Sequence, residues 1–153
     1  MAGALLAGGE DFIAQARRWR RRLGGTLVHL SPLAASAAMK IDERLALMPA
    51  LVSRTQTLAA GLAPLASMRV NPALPPTNMF HLYFDAAPER VLDARDAVAT
   101  RTGCWLFERA RPAEVPGWSV AELSFGDRLL AADNATVLAA FAELDAALRA
   151  KAQ

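Results

Sequence analysis

The sequence predicts an α/β fold, in which N-terminal helices are followed by a small three- to four-stranded sheet packed with helices. Three observations predict it. Apolar residues recur at helical spacing in the first part of the chain, short apolar and aromatic runs bounded by turn residues follow, and one more helical stripe comes near the end. This order is typical of a sheet that is covered by helices on one face.

The first predicted helix spans residues 10–23. Its acidic residues lie near the start and its arginines near the end, as the helix dipole favours, and Gly24-Gly25 stops it. Its apolar stripe consists of Phe12, Ala16, Trp19 and Leu23. The small apolar residues 1–8 have the composition of a strand buried on both faces, and we expect the rest of such a sheet to be missing from this chain.

A second helical region begins at Ser31, where a capping serine precedes a first-turn proline. The alanine-rich first piece is predicted to run to about Leu47. Pro49 then starts or kinks the next helical piece, and Pro64 ends it. The second piece has its own apolar stripe, which consists of Leu51, Thr55, Leu58 and Leu62.

The rest of the chain alternates between short strands and helices. The predicted strands are Met68–Asn71, Met79–Phe84, 104–109 and 119–125. A helix at 89–100 separates the second strand from the third, and Gly103 stops it. The last helix begins near Asp133, and its inward-facing residues are Val137, Phe141, Leu144 and Leu148.

Composition narrows the class of protein. A hydrophobic fraction of 54% with 21% charged residues indicates a folded protein, and a net charge of only +2 gives no general attraction to nucleic acid or membrane. The basic run from Arg17 to Arg22 allows a nucleic-acid binder as a third hypothesis, but it has little aromatic interleaving. A single Cys104 and the lack of a recognisable targeting segment predict a cytoplasmic protein. No metal site is predicted.

The segment DFIAQARRWRRRLGG at 11–25 combines an acidic and apolar start, a basic run around a tryptophan and a double glycine. It resembles the "DFI…ARRWRK…GGG" stretch of low-specificity threonine aldolases, which belong to the pyridoxal-phosphate-dependent beta-eliminating lyases. The further similar segments are LAASAAM at 33–39, DERL at 42–45, RTQTLAAGLAPL at 54–65 and TNMF at 77–80. Their order and spacing agree with the family over almost the whole chain.

The resemblance implies a fold type I enzyme, with a large cofactor domain followed by a small C-terminal domain. Residues 1–30 would be the end of the large domain and a linker helix, and residues 31–153 the small α/β domain. Such enzymes are homodimers or homotetramers that hold pyridoxal 5'-phosphate on a lysine and cleave the Cα–Cβ bond of a β-hydroxy-amino acid. By this resemblance, we expect the chain to begin just after the position of that lysine. Its own lysines, Lys40 and Lys151, match other positions, so we expect no catalytic residue here and no activity from this chain alone.

By the same resemblance, Arg21 and His29 are the candidate cofactor-binding residues. Arg21 matches a basic position near the cofactor phosphate of a neighbouring subunit, and a solvated helix end is the equal alternative. His29 takes the glutamine place of an Arg-Gln pair, where it could contact phosphate or cap local backbone. His81 is predicted to be structural. Glu122 falls where the family has an arginine that receives the substrate carboxylate, so we expect a different substrate preference.

One further hypothesis stays open at this stage. The chain could be a non-catalytic α/β binding or regulatory module that uses the small-domain fold by itself. Such a module would have to cover its apolar N-terminal segment by self-association.

Overall fold

The computed structural model describes residues 6–150, which form five helices and four strands. In chain order these are α1 (Glu10–Arg22), α2 (Ser31–Leu62), β1 (Met68–Asn71), β2 (Met79–Phe84), α3 (Pro88–Thr102), β3 (Arg111–Pro112), β4 (Ser119–Ser124), α4 (Asp127–Ala131) and α5 (Asn134–Ala150). The chain divides into two compact units, Met1–Ala46 and Leu47–Gln153. The domain boundary predicted after residue 30 stays a prediction. No helix among residues 6–150 is long and apolar enough to cross a membrane.

The first unit contains α1 and the beginning of α2. Helix α1 has Glu10 and Asp11 in its first turn and three arginines in its last, and its end is closed by the Leu23 amide, which donates to the Trp19 carbonyl. Gly24 has a φ of 73°, a left-handed conformation that glycine adopts without strain. The predicted strand at 1–8 lies partly outside the described residues, and residues 6–9 are exposed and have no regular secondary structure.

Helix α2 is one helix of 32 residues that passes through Pro49, whereas the sequence suggested that this proline could separate two pieces. A proline removes one backbone donor, but the flanking leucines and alanines are strong helix formers on both sides. The stripe predicted for its second half is confirmed. Leu51, Thr55, Leu58 and Leu62 are all buried, and the Thr55 hydroxyl donates to the Leu51 carbonyl at 2.8 Å.

The second unit is built around an antiparallel sheet with strand order β1-β2-β4-β3. Side chains alternate between its two faces. The core face holds Met68, Phe80, Leu82, Phe84, Ala121 and Leu123, which form one apolar cluster with residues of α2, α3 and α5. The predicted inward side of the last helix is largely confirmed, since Phe141, Leu144 and Leu148 are buried and Val137 is partly buried.

The strand predicted at 104–109 is not formed. Arg95 on α3 is buried and reaches this segment, where its Nη1 donates to the carbonyls of Phe107 at 3.0 Å and Glu108 at 2.6 Å. The backbone therefore bonds to a side chain rather than to a neighbouring strand. Leu106 and Phe107 are still buried, which is why the sequence pattern resembled a strand. The sheet still has four strands, because the two-residue strand β3, Arg111–Pro112, forms after this segment.

Two helix ends follow local sequence signals. Helix α3 begins with Pro88 in its first turn and ends at Gly103, which has a φ of 70°. At the start of α5 the Asp133 carboxylate accepts hydrogen bonds from the Thr136 amide at 2.9 Å and hydroxyl at 3.0 Å. These bonds hold the pKa of Asp133 below its ordinary value.

Candidate functional site

The face of the sheet opposite the core carries a polar row across three strands. Asn71 on β1 is opposite His81 on β2, and His81 is opposite Glu122 on β4. The His81 Nε2 lies 3.7 Å from a Glu122 carboxylate oxygen, which is within ion-pair range but too long for a hydrogen bond. The side chains of His81 and Glu122 are 32% and 59% exposed, so both remain open to a ligand.

A second row on the same face lies beside the first. Arg69 on β1, Tyr83 on β2 and Val120 on β4 are in register, and Arg111 on β3 follows. The Arg69 guanidinium donates to the backbone carbonyls of Met68 at 2.8 Å and Ala66 at 3.2 Å, so part of its donor capacity is already used. This face therefore offers a carboxylate, an imidazole, a phenol and cationic groups to a small polar molecule.

His81 was predicted to be structural, and the sequence missed its relation to Glu122 and to Tyr83. Period-two alternation along β2 would have placed His81 and Tyr83 on one face. The alternation could not have predicted which residue of β4 lies opposite His81, because the register between β2 and β4 depends on the packing of both strands against the core.

The predicted cofactor-binding residues lie in the first unit. Arg21 is in the last turn of α1, His29 is in the turn between α1 and α2, and both are exposed. Among residues 6–150, neither side chain has a hydrogen-bond or ion-pair partner, so the alternative that His29 caps local backbone has no contact to support it. For Arg21, exposure is compatible both with a phosphate contact and with a solvated helix end.

The remaining requirement for pyridoxal phosphate is an amine that attaches it. Lys40 is on α2, and its Nζ pairs with a carboxylate oxygen of Glu43 at 3.2 Å, with both side chains about half exposed. Lys151 lies outside the described residues. The described residues thus include two exposed basic side chains, Arg21 and His29, and no enclosed lysine. They also include no group of three or more residues that could hold a metal ion.

Two arginines of the second unit, Arg54 and Arg95, bond to backbone carbonyls. Arg54 donates to the carbonyls of Leu129 and Ala132 and so closes the end of α4. Arg95 stacks on Trp105, with its guanidinium carbon 4.2 Å from the ring centroid, while it bonds the backbone beyond. Burial raises the pKa of the Cys104 thiol, which makes it a poor nucleophile.

A helical segment followed by a four-stranded antiparallel sheet, with helices against one face and a polar row on the other, defines a mixed α/β protein with a candidate ligand surface. The sequence profile of the family described as Beta-eliminating lyase matches residues 1–85. The match covers more than half of the chain, and the chain belongs to this family.

Individual relatives agree with this family. Low-specificity L-threonine aldolase 1 of Arabidopsis thaliana is 31% identical over 80 residues, which are 52% of this chain and 22% of the relative. A second low-specificity L-threonine aldolase of that plant is 30% identical over 95 residues, 62% of this chain and 26% of the relative. The chain therefore spans about a quarter of the length of these relatives.

Two crystal structures share the fold. One, from Exiguobacterium sp. 255-15, is described as an aromatic amino acid beta-eliminating lyase/threonine aldolase, with a TM-score of 0.72 and 30% identity. The other, described as an L-allo-threonine aldolase from Listeria monocytogenes, has a TM-score of 0.76 and 25% identity. Each match covers 92% of this chain and 39% of the solved chain. The resemblance to threonine aldolases and the predicted mixed α/β fold are both confirmed.

Proposed function

We propose that this chain supplies the C-terminal part of a pyridoxal-phosphate-dependent lyase of the threonine aldolase type. Residues 1–30 would end the large cofactor domain and form its linker helix, and residues 31–153 would be the small domain. The observation that carries the proposal is the joint match of sequence and fold, since the solved relatives superpose on 92% of this chain while it spans 39% of their length.

The cofactor of the assembled protein would be pyridoxal 5'-phosphate, which when bound acts as an electron sink for bond cleavage next to an amino group. Arg21 and His29 would hold its phosphate, because both are exposed and their side chains have no competing partner among the described residues. The group that attaches the cofactor and the catalytic residues would come from outside this chain, since Lys40 is paired with Glu43 in an exposed position.

The substrate would be a β-hydroxy-amino acid, whose Cα–Cβ bond the assembled enzyme would cleave. Glu122, at the place where the resemblance expects a carboxylate-binding arginine, repels a substrate carboxylate and attracts an ammonium group or a hydroxyl donor. His81, 3.7 Å from Glu122, can share or donate a proton there. The open face of the sheet would thus bind the ammonium or hydroxyl group of the substrate, and the substrate carboxylate would bind elsewhere.

Two other features belong to the proposal. The assembled protein would be a homo-oligomer, a dimer or tetramer, and it would be cytoplasmic. Because the net charge is low, the protein has no general attraction to nucleic acid or to a membrane, and we propose neither as a partner. The inert thiol of Cys104 is compatible with a reducing compartment.

A fusion tests the proposal. Joining this chain to the preceding part of the Listeria monocytogenes relative should give a protein that binds pyridoxal phosphate with a shifted absorption band and releases acetaldehyde from L-allo-threonine. The matched control carries Leu82→Asp, which places a charge in the core of the small domain and should abolish both properties. A folded fusion that binds no cofactor would favour the competing hypothesis, a non-catalytic binding or regulatory module.

A further inference from the structure

The open face of the sheet carries a cation with no partner close to Glu122. Arg111 on β3 is exposed and lies opposite Val120 on β4, and Glu122 is the next residue of β4 on that face. Among residues 6–150, the Arg111 guanidinium has no hydrogen bond and no ion pair, whereas the Arg69 guanidinium already donates to two backbone carbonyls. Of the two arginines in this row, Arg111 is therefore the one whose full donor capacity is available to a ligand.

Tyr83 lies on the other side of Val120. Because Tyr83, Val120 and Arg111 are in register on neighbouring strands, the backbones that carry Tyr83 and Arg111 are about 10 Å apart. A carboxylate that accepts one hydrogen bond from each side spans about 8 Å from one donor atom to the other. Val120 itself is only 4% exposed, so the floor between the two polar side chains is apolar. The space above Val120 therefore has the width that one carboxylate group requires.

Glu122 determines which end of a ligand lies above Val120. Two residues on the same face of a strand are about 6.8 Å apart, so Glu122 is within the length of one small molecule. Its carboxylate repels a ligand carboxylate and attracts an ammonium group or a hydroxyl donor. In a β-hydroxy-amino acid, about 6 Å separates the carboxylate carbon from an acceptor that is bonded to the β-hydroxyl. The charges along β4 are thus spaced like the two polar ends of such a molecule.

We propose that Arg111 and Tyr83 bind the substrate carboxylate above Val120, in place of the arginine that the resemblance expects at position 122. The guanidinium and the phenol hydroxyl donate to the carboxylate, and the substrate lies along β4 with its other polar end at Glu122. Both residues set specificity, and neither takes part in bond cleavage. The inference rests on the proposed function for the identity of the substrate. Carboxylate binding itself needs only residues of the second unit.

Titration of the isolated chain tests the carboxylate site without the cofactor. In an isotope-labelled chain, the Arg111 Nε–H signal should shift with L-allo-threonine, with a dissociation constant on the order of tens of millimolar. L-allo-threoninamide, which lacks the carboxylate, should leave the signal unchanged. Arg111→Gln should abolish binding as reported by the Val120 amide, and Tyr83→Phe, which keeps the ring, should weaken it about threefold.

A neighbouring arginine provides the matched control for this titration. Arg109 is exposed and precedes β3, so its position relative to β4 is not fixed by strand pairing. Arg109→Gln makes the same charge change as Arg111→Gln and should leave the affinity unchanged. Equal shifts of the Arg69, Arg109 and Arg111 signals would show a general attraction of anions and overturn the proposal. An Arg111 signal that does not move up to about 200 mM ligand would overturn it as well.

The fusion with the preceding part of the Listeria monocytogenes relative tests the role in the reaction. Arg111→Gln should raise KM for L-allo-threonine about tenfold with kcat nearly unchanged, because the contact is the same before and during bond cleavage. In a Glu122→Arg background the same substitution should have a much smaller effect, because a second guanidinium then competes for the carboxylate.

Two outcomes in the fusion have separate meanings. An equal loss from Arg111→Gln in both backgrounds would show that Arg111 acts only through the fold, and this would overturn the proposal. A fusion without lyase activity would contradict the proposed function alone, because the titration of the isolated chain still decides whether Arg111 binds the carboxylate. The melting temperature of each variant checks that the second unit remains folded.

Discussion

Asp145, near the end of the last helix, accepts two hydrogen bonds from Ser67, which immediately precedes the first strand. The Ser67 amide donates at 2.8 Å and its hydroxyl at 2.7 Å, and the Arg149 Nε lies 2.9 Å from the second carboxylate oxygen. Burial by itself raises the pKa of the Asp145 carboxyl, but the bonds from Ser67 and the charge of Arg149 hold it below its ordinary value. The contact joins α5 to the edge of the sheet.

Replacing this carboxylate should destabilise the second unit. Asp145→Ala leaves the buried Ser67 amide and hydroxyl without an acceptor, which costs about 1–3 kcal/mol in the free energy of unfolding. Urea titration at neutral pH measures it. Arg149→Ala is the control, since Arg149 is 62% exposed and its removal should have a much smaller effect. Equal losses from the two variants would contradict the role of Ser67.

The same carboxylate should make stability depend on pH. Because the pKa of Asp145 is lower in the folded than in the unfolded state, its contribution is fully present above the unfolded value of about 3.9 and is lost as the pH falls through the folded value. The difference in unfolding free energy between the wild type and Asp145→Asn should therefore shrink in acid. A difference that stays constant from neutral pH to pH 2 would show that the carboxyl has the same pKa in both states.

Arg95 should hold the 104–109 segment through its planar guanidinium. Arg95→Lys keeps the charge but cannot bond two carbonyls while stacking on Trp105, and we expect a loss of about 1.5–3 kcal/mol. Fluorescence of a variant that retains Trp105 as its one tryptophan should report a more solvated ring. The control is Arg101→Lys on the same helix, whose ion pair with Glu143 is exposed. An Arg95→Lys protein with unchanged stability would mean that packing alone shapes this segment.

The isolated chain should form no specific covalent adduct with pyridoxal phosphate. Lys40 is exposed and paired with Glu43, so no enclosed site holds the cofactor beside its amine. Borohydride reduction followed by mass spectrometry should show only weak labelling that free lysine competes away. Lys40→Arg should remove part of that labelling. A stoichiometric adduct that resists competition would place the attachment site in this chain.

In the fusion with a relative's cofactor domain, Arg21 and His29 should affect cofactor retention more than folding. A charge-assisted contact to phosphate contributes about 1.5–3 kcal/mol, so Arg21→Ala and His29→Ala should each weaken cofactor binding roughly ten- to a hundredfold. The melting temperature of the cofactor-free protein should stay the same. Arg20→Ala in the same turn is the matched control. If both variants bind the cofactor with wild-type affinity, Arg21 is only a solvated residue at the end of the helix.

Glu122 should set the substrate preference of that fusion. Glu122→Arg replaces a repulsive carboxylate by a guanidinium that can bind a substrate carboxylate through two hydrogen bonds, and KM for L-allo-threonine should fall about tenfold. Glu114→Arg, an equal charge change in an exposed loop, should leave KM unchanged. If both variants have the wild-type KM, the substrate does not reach the His81–Glu122 row.

The sequence by itself determined those features whose causes are local. Gly103 ends α3 because only a residue without a side chain takes its left-handed conformation without strain, and alternation alone defined β2 as Met79–Phe84. The stripe from Leu51 to Leu62 followed from helical spacing in the same way. The family match also required only the order and spacing of residues.

Only the tertiary structure decided which distant groups meet. Residues 104–109 have a strand-like pattern, but the Arg95 side chain on α3 donates hydrogen bonds to carbonyl groups of this segment. No local rule reveals a donor that lies twelve residues away in the sequence. His81 lies opposite Glu122 because β2 and β4 are aligned by the core residues on their other face. Local propensity acts over a few residues, whereas strand register and the partners of buried polar groups are fixed by burying apolar surface across the whole unit, so they depend on all of its contacts together.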